Sequence, residues 1–380
     1  MSKVRLSRLL AAVGFLWCST SLMAAVPEAE AFDAHFRQVL VESGVPGGAY
    51  AVVVGGAVAR VQGHGRRSVS AAAPVDADTV FRLASVSKTF AAVATGLTVR
   101  DGQLGWQDSL ADRLPGFALK RAEDTRRLRI EDLLGQSTGL VPNAYDNLLD
   151  ADQLLANILP HFRELTPICA PRSCYSYQNI AFSLIDPVLE QASGEPYTAL
   201  VQRRLFTPLG MRRASFGLDA LQADSNHALP HEKRAGVWRQ AVLKPAYYQV
   251  APAAGINASA RDLGQWLLAQ LGHFPAALPA EVITAATRKR VRTPRELRRR
   301  GWSELLDDAH YGLGWRIYRI GDDELYLHSG WVKGYVAEVA YSPRHGVGLA
   351  VVLNAESSAL NRITTAFWAQ VFERPVPVIR

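Results

Sequence analysis

At 380 residues the chain is longer than one small domain, and a composition that is 48% hydrophobic and 20% charged excludes a disordered, collagen-like or coiled-coil protein. The formal net charge of +7 would suggest a nucleic-acid or membrane-surface partner if it were spread along the chain. It is concentrated instead: Arg288 to Arg300 carries eight basic side chains against one acid, Glu296, which leaves the remainder neutral. No nucleic-acid partner is expected. The basic run reads as a solvated helix and loop, with contact to anionic envelope polymers or lipid headgroups as the sharper alternative.

Taken from the start, Lys3, Arg5 and Arg8 precede the apolar run Leu9 to Trp17, and small residues end at Ala24-Ala25. This is the layout of a secretory signal peptide over residues 1–25, removed on export to the periplasm or medium. Cys18 raises a lipoprotein as the alternative, which the bulky Trp17 before it disfavours. The apolar run is too short to span a bilayer comfortably, so no stable membrane insertion is expected. Export leaves Cys169 and Cys174 in an oxidising compartment with four residues between them. A disulfide is expected, against the alternative of two free thiols.

Ala49 to Val54 and Ala57 to Val61, joined by Gly55-Gly56, predict a β-hairpin that begins the fold. The spacing predicts helices over Ser87 to Val99, Asp152 to Leu159, Ile180 to Ala192 and Arg261 to Leu271, the last opening on a capping box from Ser259 to Asp262. Strands return at Gly312 to Ile320, Glu324 to Leu327, Tyr335 to Tyr341 and Gly348 to Asn354. With strands at both ends and none in the middle, the expected fold class is α/β: a mixed antiparallel sheet flanked by helices, with an inserted, mostly helical lobe. Residues 26–380 are expected to form one catalytic unit, with an α/β part over about 32–90 plus 300–380 and a helical part over about 91–299.

His231-Glu232 is followed by Ala235 where a zincin needs histidine, so that hydrolase class does not fit. His227 and His231 have a metal-binding spacing, but Pro230 interrupts any helix there and no metal site is expected. The chain holds one Ser-x-x-Lys, Ser85 to Lys88, at the start of an apolar helix running through Ala91, Ala92, Val93 and Ala94. Residues three apart share a helix face. A buried lysine sheds its proton more readily, and neutral lysine can accept the proton of a serine that is otherwise a weak nucleophile. Tyr177-Gln178-Asn179 follows the cysteine pair. His328-Ser329-Gly330-Trp331 ends a predicted strand, where glycine permits close approach and the next N–H can face a developing oxyanion.

Ser-x-x-Lys, Tyr-x-Asn and His-x-Gly in that order resemble the serine β-lactamase and penicillin-recognising enzyme superfamily. The likeness is to the branch that holds class C β-lactamases, D-alanyl-D-alanine carboxypeptidases and related esterases. Phe81-Arg82, Asp101 to Leu104, Ile130 to Leu140, Pro252 to Leu268 and Asn354 also look like that branch's landmarks. The resemblance implies that Ser85 is acylated, that Lys88 shares its proton and that Tyr177 is the general acid and base. It further implies that Asn179 holds a substrate amide and that the backbone N–H groups of Ser85 and Trp331 form an oxyanion hole. His328, Ser329, Gly330 and Trp331 are then substrate-binding, and no cofactor is required. The branch usually has lysine where this chain has His328. Histidine titrates near 6.5 when unperturbed, so carboxylate anchoring by its charge is expected to depend on pH. The implied function is hydrolysis of β-lactams by a monomeric acyl-serine enzyme. D-alanyl peptide or ester hydrolysis is the alternative, and a non-catalytic binder of peptidoglycan fragments is the least favoured reading. Trp331 and Tyr335 are candidates to line the cleft, though strand aromatics are more often core.

Overall fold

The computed structural model describes residues 29–379. The leader expected over 1–25 and Cys18 lie outside them. Strands β1 (Gly47–Val54) and β2 (Ala57–Ser68) form the expected hairpin, with Val54 facing Ala57. Gly55 and Gly56 turn the chain with φ of +57° and +82°. A two-residue hairpin of the primed type needs positive φ at both positions, which is why two glycines stand there.

Strand β3 (Ala71–Pro74) extends this hairpin, and six strands from the second half complete one sheet: β4 (Val291–Arg292), β5 (Asp308–Tyr311), β6 (Arg316–Ile320), β7 (Asp323–Val332), β8 (Tyr335–Ser342) and β9 (Val347–Leu353). Their order is β3-β2-β1-β9-β8-β7-β6-β5-β4, and every pair is antiparallel. The two chain ends therefore meet at β1 and β9. Both faces of that seam are buried: Ala49, Ala51 and Val53 join one core while Tyr50 and Val52 join the other, and β9 divides likewise into Ala350, Val352 and Leu349, Val351, Leu353. This is why β1 and β9 read as near-continuous apolar runs rather than alternating ones.

Helix α1 (Ala29–Ser43) covers one face of the sheet, together with the C-terminal helix described below. Helix α2 (Ser87–Arg100) is buried from Ser87 through Thr98, as a helix apolar on all sides must be, and forms the axis of the helical lobe. Helix α3 (Ala260–Gln270) lies on the opposite face, opened by the expected capping box, in which the Ser259 hydroxyl accepts from the Asp262 N–H. Helix α4 (Ala359–Val371) packs beside α1, with Phe367 edge-on to Phe32 at 5.1 Å. Asn354 locks the seam after β9: its Oδ1 accepts from the Gly47 N–H at 2.9 Å, and its Nδ2 donates to the carbonyls of Arg66 and Arg67.

The middle of the chain departs from expectation in three ways. It is not free of strands: Val80–Arg82, Ile256–Ser259 and Ser215–Phe216 make a three-stranded sheet, and His231–Arg234 pairs with Val237–Gln240. Their two to four residues are too short to show a period of two. The helix expected from Asp152 begins at Leu155 and passes into a 3₁₀ segment at Leu159, where Pro160 cannot donate a backbone bond. The helix expected from Ile180 is broken at Leu184, two residues before Asp186-Pro187, into Ile180–Ser183 and Ile185–Ser193.

Candidate active site

The Ser85 segment is a short 3₁₀ turn, Ala84–Val86, between strand Val80–Arg82 and α2. Ala84 carries φ of +47°, which costs roughly 1–2 kcal/mol for a residue with a Cβ. The segment holds this shape because its flanks are tied to one strand. The Leu83 N–H donates to the Ile256 carbonyl at 2.9 Å, and the Ile256 N–H donates to the Ser87 hydroxyl at 3.1 Å. The turn presents the Ser85 side chain at the mouth of a cleft while the helix behind it is sealed in core.

One helical turn on, Lys88 is fully buried, and its Nζ donates to Ser85 Oγ at 3.2 Å, Asn179 Oδ1 at 2.7 Å and the Ala253 carbonyl at 3.1 Å. The amine nitrogen also sits over the Tyr177 ring at 4.8 Å from its centroid. Burial pushes the lysine below its ordinary range, with Tyr177 and Asp146 opposing. Asn179 joins Lys88 to a carboxylate that sequence reading missed: its Nδ2 donates to Asp146 Oδ2 at 2.6 Å. Burial raises the Asp146 carboxyl, although Asn179 and Lys88 pull the other way. The amide of Asn179 is thereby oriented with its oxygen toward the lysine.

The Tyr177 segment follows the cysteine loop. Cys169 and Cys174 are bonded, with Cα atoms 6.3 Å apart. Within the loop the Arg172 N–H donates to the Ser137 carbonyl at 2.8 Å and the Arg172 guanidinium meets Asp132 at 2.9 Å. Burial pushes the Asp132 carboxyl up to about 6. Just beyond, the Ser176 N–H donates to the Gln136 carbonyl, and the Tyr177 carbonyl accepts from Asn143. The landmark segment Ile130 to Leu140 thus cradles the tyrosine.

The third motif lies within β7 rather than at its end. Gly330 is required there because a Cβ would strike the Leu83 carbonyl and crowd the Ser85 nitrogen. This contact brings the Trp331 and Ser85 backbone within one wall of the cleft. Trp331 is 63% exposed and lines the cleft, whereas Tyr335 is core, its hydroxyl donating to the Ala228 carbonyl.

His328 departs most from expectation. It is wholly buried beneath the cleft, and its pKa is driven well below 6.5 by burial and by the neighbouring Arg316 and Lys88. Its Nδ1 faces the Ser329 carbonyl at 2.9 Å, while Nε2 faces the Tyr311 hydroxyl at 2.9 Å and Arg316 Nη1 at 3.4 Å. A carbonyl can only accept and a guanidinium can only donate, so the network assigns a neutral ring protonated on Nδ1. The expected charge at this position is carried instead by Arg316, which lines the cleft and pairs with Glu296 at 3.1 Å.

The basic run divides. Six of its side chains are exposed as expected, but Arg290 pairs with Glu131 and Arg299 enters the cleft, the segment forming β4 and a 3₁₀ turn rather than a helix. His231 is taken up by the fold, its ring nitrogens facing the Asn354 carbonyl and the Val69 N–H, while His227 faces the Asp224 carbonyl. Arg299, Arg316, Asp146 and Asn361 all line the same cleft of about 580 Å³ as Ser85, Tyr177 and Asn179. None stands in a local motif. The one signal for Arg316 was a charge within a predicted strand that is otherwise apolar but for Arg319.

A half-buried serine with a buried lysine one turn away, the lysine's amine pushed below its ordinary range, and a tyrosine on the same cleft are the side-chain types that acyl-serine chemistry uses. The chain matches the Beta-lactamase family over residues 32–371, and it belongs to that family. It is 27% identical over 346 residues to penicillin-binding protein 4 of Amycolatopsis lactamdurans, covering 89% of this chain and 87% of that one. It is 25% identical over 301 residues to an unguisins hydrolase of Aspergillus campestris, covering 75% of this chain and about half (54%) of that protein. Among solved structures, the octameric penicillin-binding protein homologue from Pyrococcus abyssi superposes with a TM-score of 0.80 at 22% identity, covering 91% of this chain and 78% of the other, which establishes the likeness of fold. Among the described residues no helix is long and apolar enough to cross a membrane.

Proposed function

We propose that the chain is an exported serine hydrolase that passes through an acyl-enzyme on Ser85, within one catalytic unit whose cleft is shared by the sheet and the helical lobe. The observation that carries this reading is the 3.2 Å contact between Lys88 Nζ and Ser85 Oγ, with the lysine buried and its amine pushed by burial below its ordinary range. Neutral Lys88 takes the Ser85 proton as Oγ attacks a carbonyl carbon, and the oxyanion forms against the N–H groups of Ser85 and Trp331. Tyr177 then delivers a proton to the leaving group and activates the water that releases the acyl group.

The substrates proposed are β-lactams, as in a class C β-lactamase, together with the D-alanyl peptides that penicillin-type relatives suggest. The near full-length match to a protein named for penicillin binding supports this choice. A carboxylesterase reading is favoured by a separate observation: the two arginines of the cleft each pair with a buried or half-buried carboxylate, Arg316 with Glu296 and Arg299 with Glu338. The attraction left for a substrate carboxylate is correspondingly small.

The test is mass spectrometry of the mature protein after exposure to a β-lactam or an activated phosphonate, with one adduct expected on the Ser85 peptide and none in Ser85→Ala. An adduct elsewhere, or turnover unaffected by Ser85→Ala, overturns the reading. A substrate panel of β-lactams, D-alanyl peptides and esters then ranks the classes.

A further inference from the structure

We propose that Glu338 sets the substrate preference of this cleft, so that among the substrate classes above it favours the esters of the carboxylesterase reading, with no carboxylate beside the scissile bond, over β-lactams and D-alanyl peptides. The inference rests on the acyl-serine reading only for the class of reaction; the binding preference follows from the cleft itself.

Strand β8 is buried from end to end, and Glu338 is its only charged residue, 1% exposed. It stands directly across the ladder from Ser329 of the third motif. Glu338 Oε2 lies 2.6 Å from Ser329 Oγ and 3.1 Å from Arg299 Nη2, while Oε1 is buried with no hydrogen-bond partner among the described residues. Burying an ionised carboxylate is costly, and a fold needing only packing at this position would place an apolar residue there.

The proton positions follow from the chemistry of the three groups. An ion-paired carboxylate only accepts and a guanidinium only donates. Arg299 Nη2 donates to Ser329 Oγ at 3.0 Å, so the Ser329 hydroxyl proton points to Glu338. What Ser329 offers the cleft is a lone pair. It can receive an N–H from a substrate, but it has no proton left for a carboxylate.

Arg299 is occupied in the same way. Nη2 faces three acceptors, Ser329 Oγ, Glu338 Oε2 and Asn361 Oδ1, and Nη1 reaches the Tyr318 hydroxyl at 3.3 Å. The two N–H bonds of Nη2, shared among three acceptors, leave none at that nitrogen for a ligand. Glu338 also cancels the charge of Arg299 at close range, as Glu296 does for Arg316. A substrate carboxylate at this end of the cleft would meet an acceptor oxygen with a buried anion directly behind it. A carboxamide or an ester would meet no such opposition, and an amide N–H would find an acceptor.

The test uses an N-acyl-D-alanyl-D-lactate and its terminal carboxamide, titrated calorimetrically into Ser85→Ala protein so that binding is read without turnover. The carboxamide is expected to bind about tenfold more tightly, the size of one hydrogen bond to a charged group. Adding Glu338→Gln, which keeps the shape, should tighten the carboxylate about tenfold and move the carboxamide less than twofold. Equal shifts for both ligands, or a carboxylate preference with Glu338 in place, overturn the proposal. Ser329→Ala guards against a folding defect in the first variant. It should weaken the carboxamide, which loses its acceptor, and leave the carboxylate no weaker, whereas a loss confined to the carboxylate would mean that Ser329 donates to it after all and overturn the proposal. Failure of the acyl-serine reading is seen separately, as hydrolysis of an activated ester by Ser85→Ala at the unsubstituted rate.

Discussion

Arg316 Nη1 stands 3.4 Å from His328 Nε2, and of these two residues the arginine holds the positive charge beside Ser85. Burial, which removes its hydration, is the main reason that the histidine is neutral, and the cation already facing its free nitrogen adds to it.

The first prediction concerns pH. Because folded His328 titrates well below 6.5 and the unfolded side chain near 6.5, only the unfolded state gains this proton as pH drops. The stability contributed by neutral His328 is present above about pH 6.5 and is lost progressively below it. Urea unfolding between pH 7.5 and 5, roughly the window in which a free histidine titrates, should show this loss, and His328→Gln should reduce it. KM for carboxylate-bearing substrates should show no histidine inflection across that window. His328→Lys should lower stability by roughly 3 kcal/mol, since it buries a second cation against Arg316.

Lys88 should be expensive to catalysis and cheap to the fold. Lys88→Met is expected to lower the acylation rate of Ser85 by about 10²–10⁴-fold, the range for loss of a positioned proton acceptor. Its stability should fall by only about 1–2 kcal/mol, because relief of a buried amine partly offsets the loss of the donor to Asn179 Oδ1 and the Ala253 carbonyl. A stopped-flow acylation assay beside a thermal melt reads both. A variant that unfolds more readily while still acylating at the normal rate would make Lys88 structural.

Gly330→Ala should separate the two sides of the cleft. The new Cβ is blocked by the Leu83 carbonyl and lies against the Ser85 nitrogen, so β7 must retreat. The oxyanion donors then lose their spacing, and kcat should drop about 10²-fold or more, as when one such donor is removed. KM should change far less. A normal kcat in this variant would show that the Trp331 and Ser85 N–H groups do not act together.

Reduction of Cys169–Cys174 should cost the fold about 2 kcal/mol, the loop-closure value for so short a ring. Activity should suffer more. The loop seats Arg172 on Asp132 and Ser137, and the segment continuing from it carries Tyr177, so freeing the loop loosens the tyrosine before it unfolds anything. The check is kcat and melting temperature of Cys169→Ser/Cys174→Ser, made together. Equal fractional effects on both would remove any special link to Tyr177.

The parts of this protein that were legible in the sequence are those whose signals are local. Gly55-Gly56 marks a hairpin because two positive φ angles demand it, Ser259 and Asp262 mark a helix start because both ends of the capping box lie within one turn, and Ser85 and Lys88 find each other because three residues make a helix turn. Tyr177, Asn179 and Gly330 were recognisable only as a series in a known order, since nothing within any one segment says that it faces the others.

Tertiary structure alone decided the charges of the site. Arg299 lay hidden in a basic run that mostly faces solvent, Arg316 stood with Arg319 and Glu338 alone on mainly apolar strands, and Asp146 is held to Lys88 through an amide 91 residues along the chain from that lysine. Side-chain type fixes which groups can ionise, and the chain order fixes which turns and helices can form. Whether an ionisable group keeps its charge depends on how much water is removed from it and on which charges are brought within a few ångströms. For His328 the sheet register decided both, placing it in the core against Arg316 across strands whose pairing no single stretch of sequence records.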